Sequence, residues 1–266
     1  MNDHPIVAGS ALFTLVDPTE GHEVAYNRWY ERDHFYAGCL IGPWLFAGKR
    51  WVATRALKDL RFPVDGDAVA SPVDRGSYLA TYWVLEGKHD EHFAWAGDQV
   101  VELYMQDRGF MERRHAHTVL VDRPEHFYRD DDPVPIELAF DADYAGLAVV
   151  AVDPADGVAD DDVGAYLQTE ALPALMHESP IASMVSWRYI QMGKGTERAP
   201  MDLGTPPGPP ERRLQMFFLD AAPDTVWDRF HDYADGLAAA GVGSVRFAAP
   251  FIPTVVGTDT YTDQLW

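Results

Sequence analysis

The chain carries the same short sequence pattern twice, once in each half. In the first half, Val16-Asp17-Pro18 is followed by a helical segment and then by Arg50-Trp51. In the second half, Val152-Asp153-Pro154 is followed by a similar segment and then by Arg188-Tyr189. The two patterns lie about 137 residues apart, which is too long for a solenoid repeat and matches the size of a small domain. The sequence therefore predicts a duplicated domain.

The two helical segments differ at the position where a catalytic side chain could lie. The first segment covers residues 25–34 and ends at His34, whereas the second covers residues 165–173. Ala171 occupies the position in the second copy that matches His34. Because alanine cannot transfer a proton, we expect the active cavity in the first copy and a structural role for the second.

The net charge of -21 excludes several classes of partner. Nucleic acids and anionic membrane surfaces attract lysine and arginine, so a chain with 42 acidic and 21 basic residues is not expected to bind either. A hydrophobic fraction of 47% is enough for a full core. One cysteine, Cys39, excludes an internal disulfide and a cysteine-based zinc site.

Patterns that bind nucleotide cofactors or mark a serine nucleophile are absent from the sequence. There is no Gly-x-Gly-x-x-Gly after the first strand, no P-loop and no Gly-x-Ser-x-Gly. We therefore expect no cofactor. No signal-peptide pattern is visible and no run approaches the roughly 20 apolar residues of a membrane span, so we expect a soluble cytoplasmic protein.

Hydrophobic periodicity and turn residues divide each half into the order β-α-β-β-α-β. In the first half, strands are predicted at 6–16, 44–55, 77–85 and 113–121, with helices at 21–40 and 93–108. In the second half, strands are predicted at 145–152, 184–191, 213–219 and 245–249, with helices at 163–176 and 225–240. Long loops are expected at 57–76 and 193–210.

This order predicts an α+β protein made of two ferredoxin-like repeats. Each repeat has a four-stranded sheet with helices on one face and a bare face on the other, which must find a partner. We expect the two bare faces to pack together within one chain as an α/β-barrel. The predicted units are residues 1–128 for the first repeat, 129–143 for an acidic linker, and 144–266 for the second repeat with a tail.

A known superfamily has this arrangement of motifs. The run from Trp29 through Tyr30 to His34, followed by Arg50-Trp51, resembles the dimeric α/β-barrel superfamily and most closely its EthD-like branch. The second copy keeps Arg188-Tyr189 and lacks the histidine. The resemblance implies a tandem pair of ferredoxin-like units. The superfamily includes cofactor-free monooxygenases, isomerases, aromatic cyclases, decarboxylases, dehydratases and haem enzymes, so the fold does not define the reaction.

His34 is the first candidate catalytic residue. An imidazole titrates near neutral pH and can move protons without a cofactor. Tyr30 and Tyr26 lie one and two helical turns earlier on the same face, where their hydroxyls could orient a substrate. The alternative is that these three side chains simply pack the helix against the sheet.

His115 and His117 form a second candidate pair. Residues i and i+2 of a strand share one face, so both rings are expected to project together, preferably into the barrel. Such a pair could be half of a metal site if His34 or a carboxylate supplied a third ligand, but we expect a metal-free polar cavity. Ordinary core or surface histidines are the remaining alternative.

Three further residues are predicted to bind substrate. Arg50 could hold a carboxylate or phenolate if it faces the barrel, or it could form an ion pair with one of the many acids. Tyr82 and Trp83 belong to a concentration of aromatic residues on the first sheet. Most aromatic residues are core, and the surplus suits a cavity for a flat apolar ligand.

These observations predict a cofactor-independent lyase or isomerase that acts on a hydrophobic, aromatic or polyketide-like small molecule. Decarboxylation, dehydration or proton-transfer isomerisation would suit His34 as general acid and base. The alternatives are a cofactor-free monooxygenase of the same superfamily and a binding protein without turnover. A homodimer would use the outer surfaces of the barrel.

Overall fold

Eight strands close into one barrel in the computed structural model, which describes residues 6–191, 199 and 201–266. Of the long loop predicted at 193–210, residues 193–198 and 200 lie outside this described part, as do residues 1–5 of the predicted first unit. The strands are β1 Ala8–Pro18, β2 Leu45–Val52, β3 Tyr78–Leu85, β4 Arg113–Tyr128, β5 Gly146–Pro154, β6 Ile181–Tyr189, β7 Arg213–Leu219 and β8 Gly243–Pro253.

The strand order around the barrel is β1-β3-β2-β8-β5-β7-β6-β4, and every neighbouring pair is antiparallel. Strands β4-β1-β3-β2 and β8-β5-β7-β6 are two copies of the same ferredoxin-like arrangement. They join through β2 with β8 and through β6 with β4. The predicted α+β fold, a tandem pair of ferredoxin-like repeats closed into a barrel, is therefore confirmed.

Helices cover the outside of the barrel. In the first repeat they are α1 Glu23–Trp29, which continues as a π-helix over Tyr30–Leu40, a short α2 at Arg55–Lys58, and α3 at His89–Met105. In the second repeat α4 Asp160–Tyr166, a π-helical turn Leu167–Ala171 and α5 Leu172–Met176 are continuous, and α6 spans Trp227–Ala239. Short 3₁₀ turns occupy Ile136–Leu138 and Pro223–Val226.

Strand β4 is longer than the sequence predicts, because it belongs to both halves of the barrel. Its first part pairs with β1 from Arg113 to Asp122, and its last part pairs with β6 as far as Tyr128. The predicted end at residue 121 marks only the boundary between these two partners. The extra residues, such as Glu125 and His126, are polar, and a pattern based on apolar alternation does not detect them.

The interior of the barrel is filled with large side chains. Trp51, Trp83 and Trp187 are fully buried there, and the rings of Trp83 and Trp187 lie 5.8 Å apart between centroids. Phe218 contacts the edges of this group, with its ring centroid 6.3 Å from that of Trp83. The two bare sheet faces therefore bury each other, and the predicted surplus of aromatic residues is used for packing.

Two connecting segments close the ends of the barrel. The predicted linker 129–143 sends Phe140 into the core, where its ring centroid lies 4.1 Å from that of Trp83. The long loop predicted at 57–76 buries Val69 and Ala70 in the same core. Its Gly76 lies against Leu15, near the C-terminal end of β1. Both segments therefore act as plugs for the barrel, although the exact domain boundaries remain a prediction.

The C-terminal tail, residues 254–266, crosses from the second repeat onto the helices of the first. Leu265 is fully buried in the first repeat, and the Trp266 indole N–H donates to Glu23 Oε1 over 2.6 Å. The Gly257 N–H donates to Glu31 Oε2 over 2.8 Å. The tail therefore fastens α1 and the start of the π-helix to the other half of the molecule.

Within the part of the chain that the structure describes, no helix combines the length and the apolar character that a membrane crossing requires.

We predict that Leu265→Ala destabilises the protein by about 2–5 kcal/mol, because a fully buried leucine would leave a cavity under the first-repeat helices. The matched control is Val256→Ala on the same tail, whose side chain is 75% exposed and whose loss should change stability by no more than about 0.5 kcal/mol. Chemical denaturation of both variants checks this. Equal stabilities would mean that the tail does not hold the first repeat together.

Candidate active site

A cavity of about 180 Å³ lies in the first repeat, between its helices and the outer face of its sheet. The π-helix and α3 form two of its walls, and β1 and β4 form its floor. Ala199, Met201 and Leu203, which belong to the second repeat, cover it. Its described lining residues are Leu12, His34, Gly38, Cys39, Phe93, Ala96, Gly97, Val100, Arg113, His115, Leu120, Ala199, Met201 and Leu203.

The π-helix presents His34 to this cavity. The Ile41 N–H donates to the Tyr36 carbonyl five residues earlier, which is the wider spacing of a π-helix. The His34 ring stacks on Trp29 with centroids 4.6 Å apart, and its Nδ1 lies 2.9 Å from the position that a Cβ of Gly38 would take. Any residue larger than glycine at position 38 would therefore push the imidazole out of place.

His34 is neutral at physiological pH. Its removal from water lowers its pKa to about 3, and the positive charge of Arg113 acts in the same direction. Neither of its ring nitrogens has a hydrogen-bond partner among the described residues. Within the described part of the chain, the imidazole is thus held by ring contacts, with Nδ1 close to Gly38 of its own helix.

His115 lines the floor of the same cavity, on β4, and has both nitrogens engaged. Arg113 Nε donates to His115 Nε2 over 3.3 Å, so the proton of the neutral ring is on Nδ1, which donates to Thr118 Oγ1 over 2.6 Å. The Thr118 and Thr14 hydroxyls are 2.6 Å apart and extend this network. Burial lowers the pKa of His115 to about 4, with Arg113 again adding to the effect. The network fixes the orientation and tautomer of His115.

The prediction that His115 and His117 share one face of the strand is wrong. A β-bulge shifts the pairing of β1 with β4, so that Leu15 pairs with His117 and Val16 pairs with His115, with Ala116 as the extra residue. His115 therefore points toward the helices, whereas His117 points into the barrel.

His117 has a different environment from the candidate cavity. It is fully buried, and its Nδ1 donates to the Thr205 carbonyl over 2.7 Å. Tyr189 Oη lies 3.4 Å from its Nε2. Burial lowers its pKa to about 4. Its hydrogen bond anchors the segment around Thr205. His117 is therefore not part of the cavity that His34 lines.

The predicted substrate residues Tyr26, Arg50 and Tyr82 lie together, but beneath the helices and away from any opening. The Arg50 guanidinium is 3% exposed and lies 3.0 Å from Glu31 Oε1, which is the ion pair that the sequence left open as an alternative. Tyr30 Oη and Tyr82 Oη are 2.8 Å apart. The expectation of a barrel-facing Arg50 is therefore wrong, since the arginine is already neutralised by Glu31.

Trp83 also occupies a different place from the one expected of a substrate-binding residue. It is fully buried among Trp187, Phe140 and Phe218 inside the barrel. Of the eight predicted site residues, the structure brings only His34 and His115 to the cavity wall, with Tyr30 directly behind His34 at a ring-centroid distance of 5.1 Å.

The sequence patterns did not indicate Arg113 or the cover formed by Met201 and Leu203. Arg113 lies two residues before His115 at the start of β4, and this spacing in the sequence could have indicated it. The cover was not detectable, because it comes from the other repeat. The Thr118 N–H donates to the Leu203 carbonyl over 2.9 Å, which fixes the cover to the strand that carries His115.

The matching region of the second repeat differs from this cavity. Ala171 packs against a continuous apolar cluster under the helices, with Phe217 and Phe230 fully buried at its centre. A cavity of about 270 Å³ nevertheless lies between the helices of the second repeat, with Glu170, Ala171 and Tyr233 in its lining and no histidine among its described lining residues. The two copies therefore differ in the side chains beside this space, since Ala171 stands where the first repeat has the imidazole of His34.

Among residues 6–191, 199 and 201–266, no group of three histidine, cysteine, aspartate or glutamate side chains is placed to hold a metal ion. The resemblance also includes haem enzymes, and pockets that hold small molecules and cofactors typically measure roughly 300–1,000 Å³. The cavity of about 180 Å³ is smaller than this range.

No family model matches the sequence, and no curated protein matches it. Solved structures do match its fold. An anthrone oxidase-like protein superposes with a TM-score of 0.54 at 10% identity, covering 96% of this chain and 98% of that one. A chlorite dismutase-like protein gives 0.54 at 8% identity, covering 98% and 100%.

A monooxygenase-like protein from Fusobacterium nucleatum gives a TM-score of 0.51 at 8% identity, covering 94% of each chain. The likeness of this chain to the three structures is one of fold alone.

We predict that the free energy of unfolding decreases as the pH falls from about 6.5 to 5. In the unfolded chain the three histidines His34, His115 and His117 take up protons near their ordinary pKa of 6.5, whereas the folded protein resists protonation until about pH 3–4. The unfolded state therefore binds more protons in this window, so stability is full above pH 6.5 and is lost below it.

Calorimetric melting temperatures across this window check the prediction. His34→Gln should weaken the pH dependence, whereas His126→Gln, which replaces an exposed histidine, should leave it unchanged. A pH dependence that is identical in wild type and His34→Gln would contradict the neutral state of His34.

Proposed function

We propose that this cavity is the active site of a cofactor-independent enzyme that abstracts a proton from a small, flat, apolar substrate. The observation that carries the proposal is His34, a neutral imidazole on the wall of an otherwise mostly apolar cavity, whose ring nitrogens have no hydrogen-bond partner among the described residues. A neutral imidazole can accept a proton, return it to a different atom and so act as both general base and general acid.

The surroundings of His34 support this role. Trp29 and Tyr30 hold the ring from two sides, which fixes the direction of its nitrogens without occupying them. The apolar walls exclude water and strengthen the electrostatic interactions of a developing negative charge. Tyr30 and its hydroxyl contact to Tyr82 stabilise the helix behind the imidazole, so we assign Tyr30 a positioning role and not direct contact with substrate.

The cavity volume also restricts the substrate. About 180 Å³ is below the range of roughly 300–1,000 Å³ typical of pockets for drug-sized ligands. A compact aromatic molecule suits this space, whereas a multi-ring polyketide would have to extend beyond it. Within the superfamily we keep the EthD-like branch as part of the proposal, on the strength of the motif from Trp29 to His34 followed by Arg50-Trp51.

The fate of the deprotonated substrate separates two candidate reactions. Return of the proton to another atom, or loss of a leaving group, would make the protein an isomerase or a lyase. Reaction of the electron-rich carbanion with molecular oxygen would make it a cofactor-free oxygenase. The oxygenase candidate is supported by the names of two structural neighbours, which are anthrone oxidase-like and monooxygenase-like.

The test is to incubate the protein in D₂O with a panel of small aromatic compounds that contain an acidic C–H or a phenol. Nuclear magnetic resonance would follow deuterium uptake and product formation, and an oxygen electrode would follow oxygen consumption. Deuterium uptake or products without oxygen consumption would support the lyase or isomerase, whereas stoichiometric oxygen consumption would support the oxygenase.

We predict that His34→Gln reduces the rate of any reaction found by about 10²–10⁴-fold, which is the usual contribution of a general acid or base. Glutamine keeps a polar side chain of similar length but cannot accept a proton. Glu170→Gln, next to the matching position of the second repeat, should leave the rate unchanged. Full activity in His34→Gln, or tight ligand binding without any exchange or turnover, would reject this catalytic role.

A further inference from the structure

Arg113 places a positive charge at the cavity. Among the described lining residues it is the one with a formal charge, because His34 and His115 are neutral and the others are apolar or uncharged. A cation in a small apolar cavity is costly unless an anion joins it. An anionic group of a ligand would therefore complement Arg113.

The hydrogen bonds of Arg113 leave part of its guanidinium free. Nε donates to His115 Nε2, one terminal nitrogen donates to the Phe110 carbonyl, and the other donates to Tyr104 Oη over 2.8 Å. Three of the five N–H donors are thus engaged, and one donor remains on each terminal nitrogen. Two donors on neighbouring nitrogens match the two oxygens of a carboxylate.

Most other arginines on the helical side of the first repeat already have a carboxylate partner. Arg28 pairs with Asp259, Arg50 with Glu31, and Arg108 with Asp33. Arg113 contacts no carboxylate within the described part of the chain. Because Arg113 has no carboxylate partner among the described residues and is held against the Trp29 ring at 4.6 Å, it is placed for an external anion.

We propose that Arg113 is the specificity-determining residue of the cavity and that it binds the carboxylate of a small aromatic monocarboxylate. The size of the cavity favours a single aromatic ring, and its walls at Phe93, Val100 and Leu120 supply apolar contacts for that ring. The proposal deepens the function proposed above and rests on it only for the identity of the site. A carboxylate on Arg113 would lie in the same cavity as the imidazole of His34.

Binding would also change the state of His34. The positive charge of Arg113 is the second cause, after burial, of the low pKa of this histidine. A bound carboxylate would neutralise that charge and add a negative one, so the pKa of His34 would rise toward the range useful for proton transfer. The substrate itself would thus prepare the base, and a neutral analogue would not.

The experiment uses isothermal titration calorimetry on the full chain with benzoate and with benzamide, its neutral analogue of nearly equal shape. Wild type should bind benzoate at least 10-fold more tightly than benzamide. Arg113→Gln should lose this preference, and Arg113→Lys should retain part of it because the charge remains. Arg114→Gln, on the adjacent exposed residue of the same strand, is the matched control and should keep the full preference.

Several outcomes would overturn the proposal. These are equal affinity of wild type for the two compounds, absence of binding of both, binding of 4-nitrophenolate but not of benzoate, or an unchanged preference in Arg113→Gln. Melting temperatures identify a variant that fails to fold, in which case the comparison of Arg113→Lys with Arg114→Gln decides.

The His34→Gln variant should still prefer benzoate to benzamide. A preference for benzoate without deuterium exchange would therefore reject the catalytic proposal and leave the proposed role of Arg113 standing.

Discussion

The burial of two bare sheet faces against each other is the constraint on which the rest of the molecule depends. A four-stranded ferredoxin-like sheet covers one face with its own helices and leaves the other exposed, which is not stable in water. Here both sheets come from one chain, and they close through β2 with β8 and through β4 with β6. Because three tryptophans and several phenylalanines fill the interior, and two connecting segments plug its ends, the centre of the barrel is a core.

A filled barrel leaves the space between helices and sheet as the place for a ligand, and the two repeats use that space differently. In the second repeat an apolar cluster with Phe217 and Phe230 packs under the helices, and the cavity between those helices is lined by Ala171 where the first repeat has His34. In the first repeat, glycine at position 38 and the wider turn of the π-helix leave room for the His34 ring and for a cavity beside it. Both copies thus keep a space at their helices, and among the described lining residues the first copy alone places histidine side chains beside it.

The first repeat nevertheless depends on the second for more than its sheet. Ala199, Met201 and Leu203 cover the cavity, and Leu203 is hydrogen-bonded to β4. The C-terminal tail places Leu265 and Trp266 against the helix that leads to His34. The buried ion pair of Arg50 with Glu31 is completed by the Gly257 N–H of the same tail. Removing one member of such a buried pair would leave an uncompensated charge, so these contacts also resist local changes in the first repeat.

Local patterns determined the duplication, the β-α-β-β-α-β order and hence the barrel fold, because apolar periodicity and turn residues act over a few neighbouring residues. They also singled out His34, since the two copies differ there. Only the tertiary structure decided where the cavity lies. The bulge at Ala116 turned His115 and His117 to opposite faces, which a strict alternation of strand residues cannot reveal. Arg50 forms an ion pair with Glu31, and Arg113 has no carboxylate partner among the described residues. The cover of the cavity comes from the other repeat. A local pattern cannot reveal these outcomes, because each depends on contacts between residues far apart in the chain.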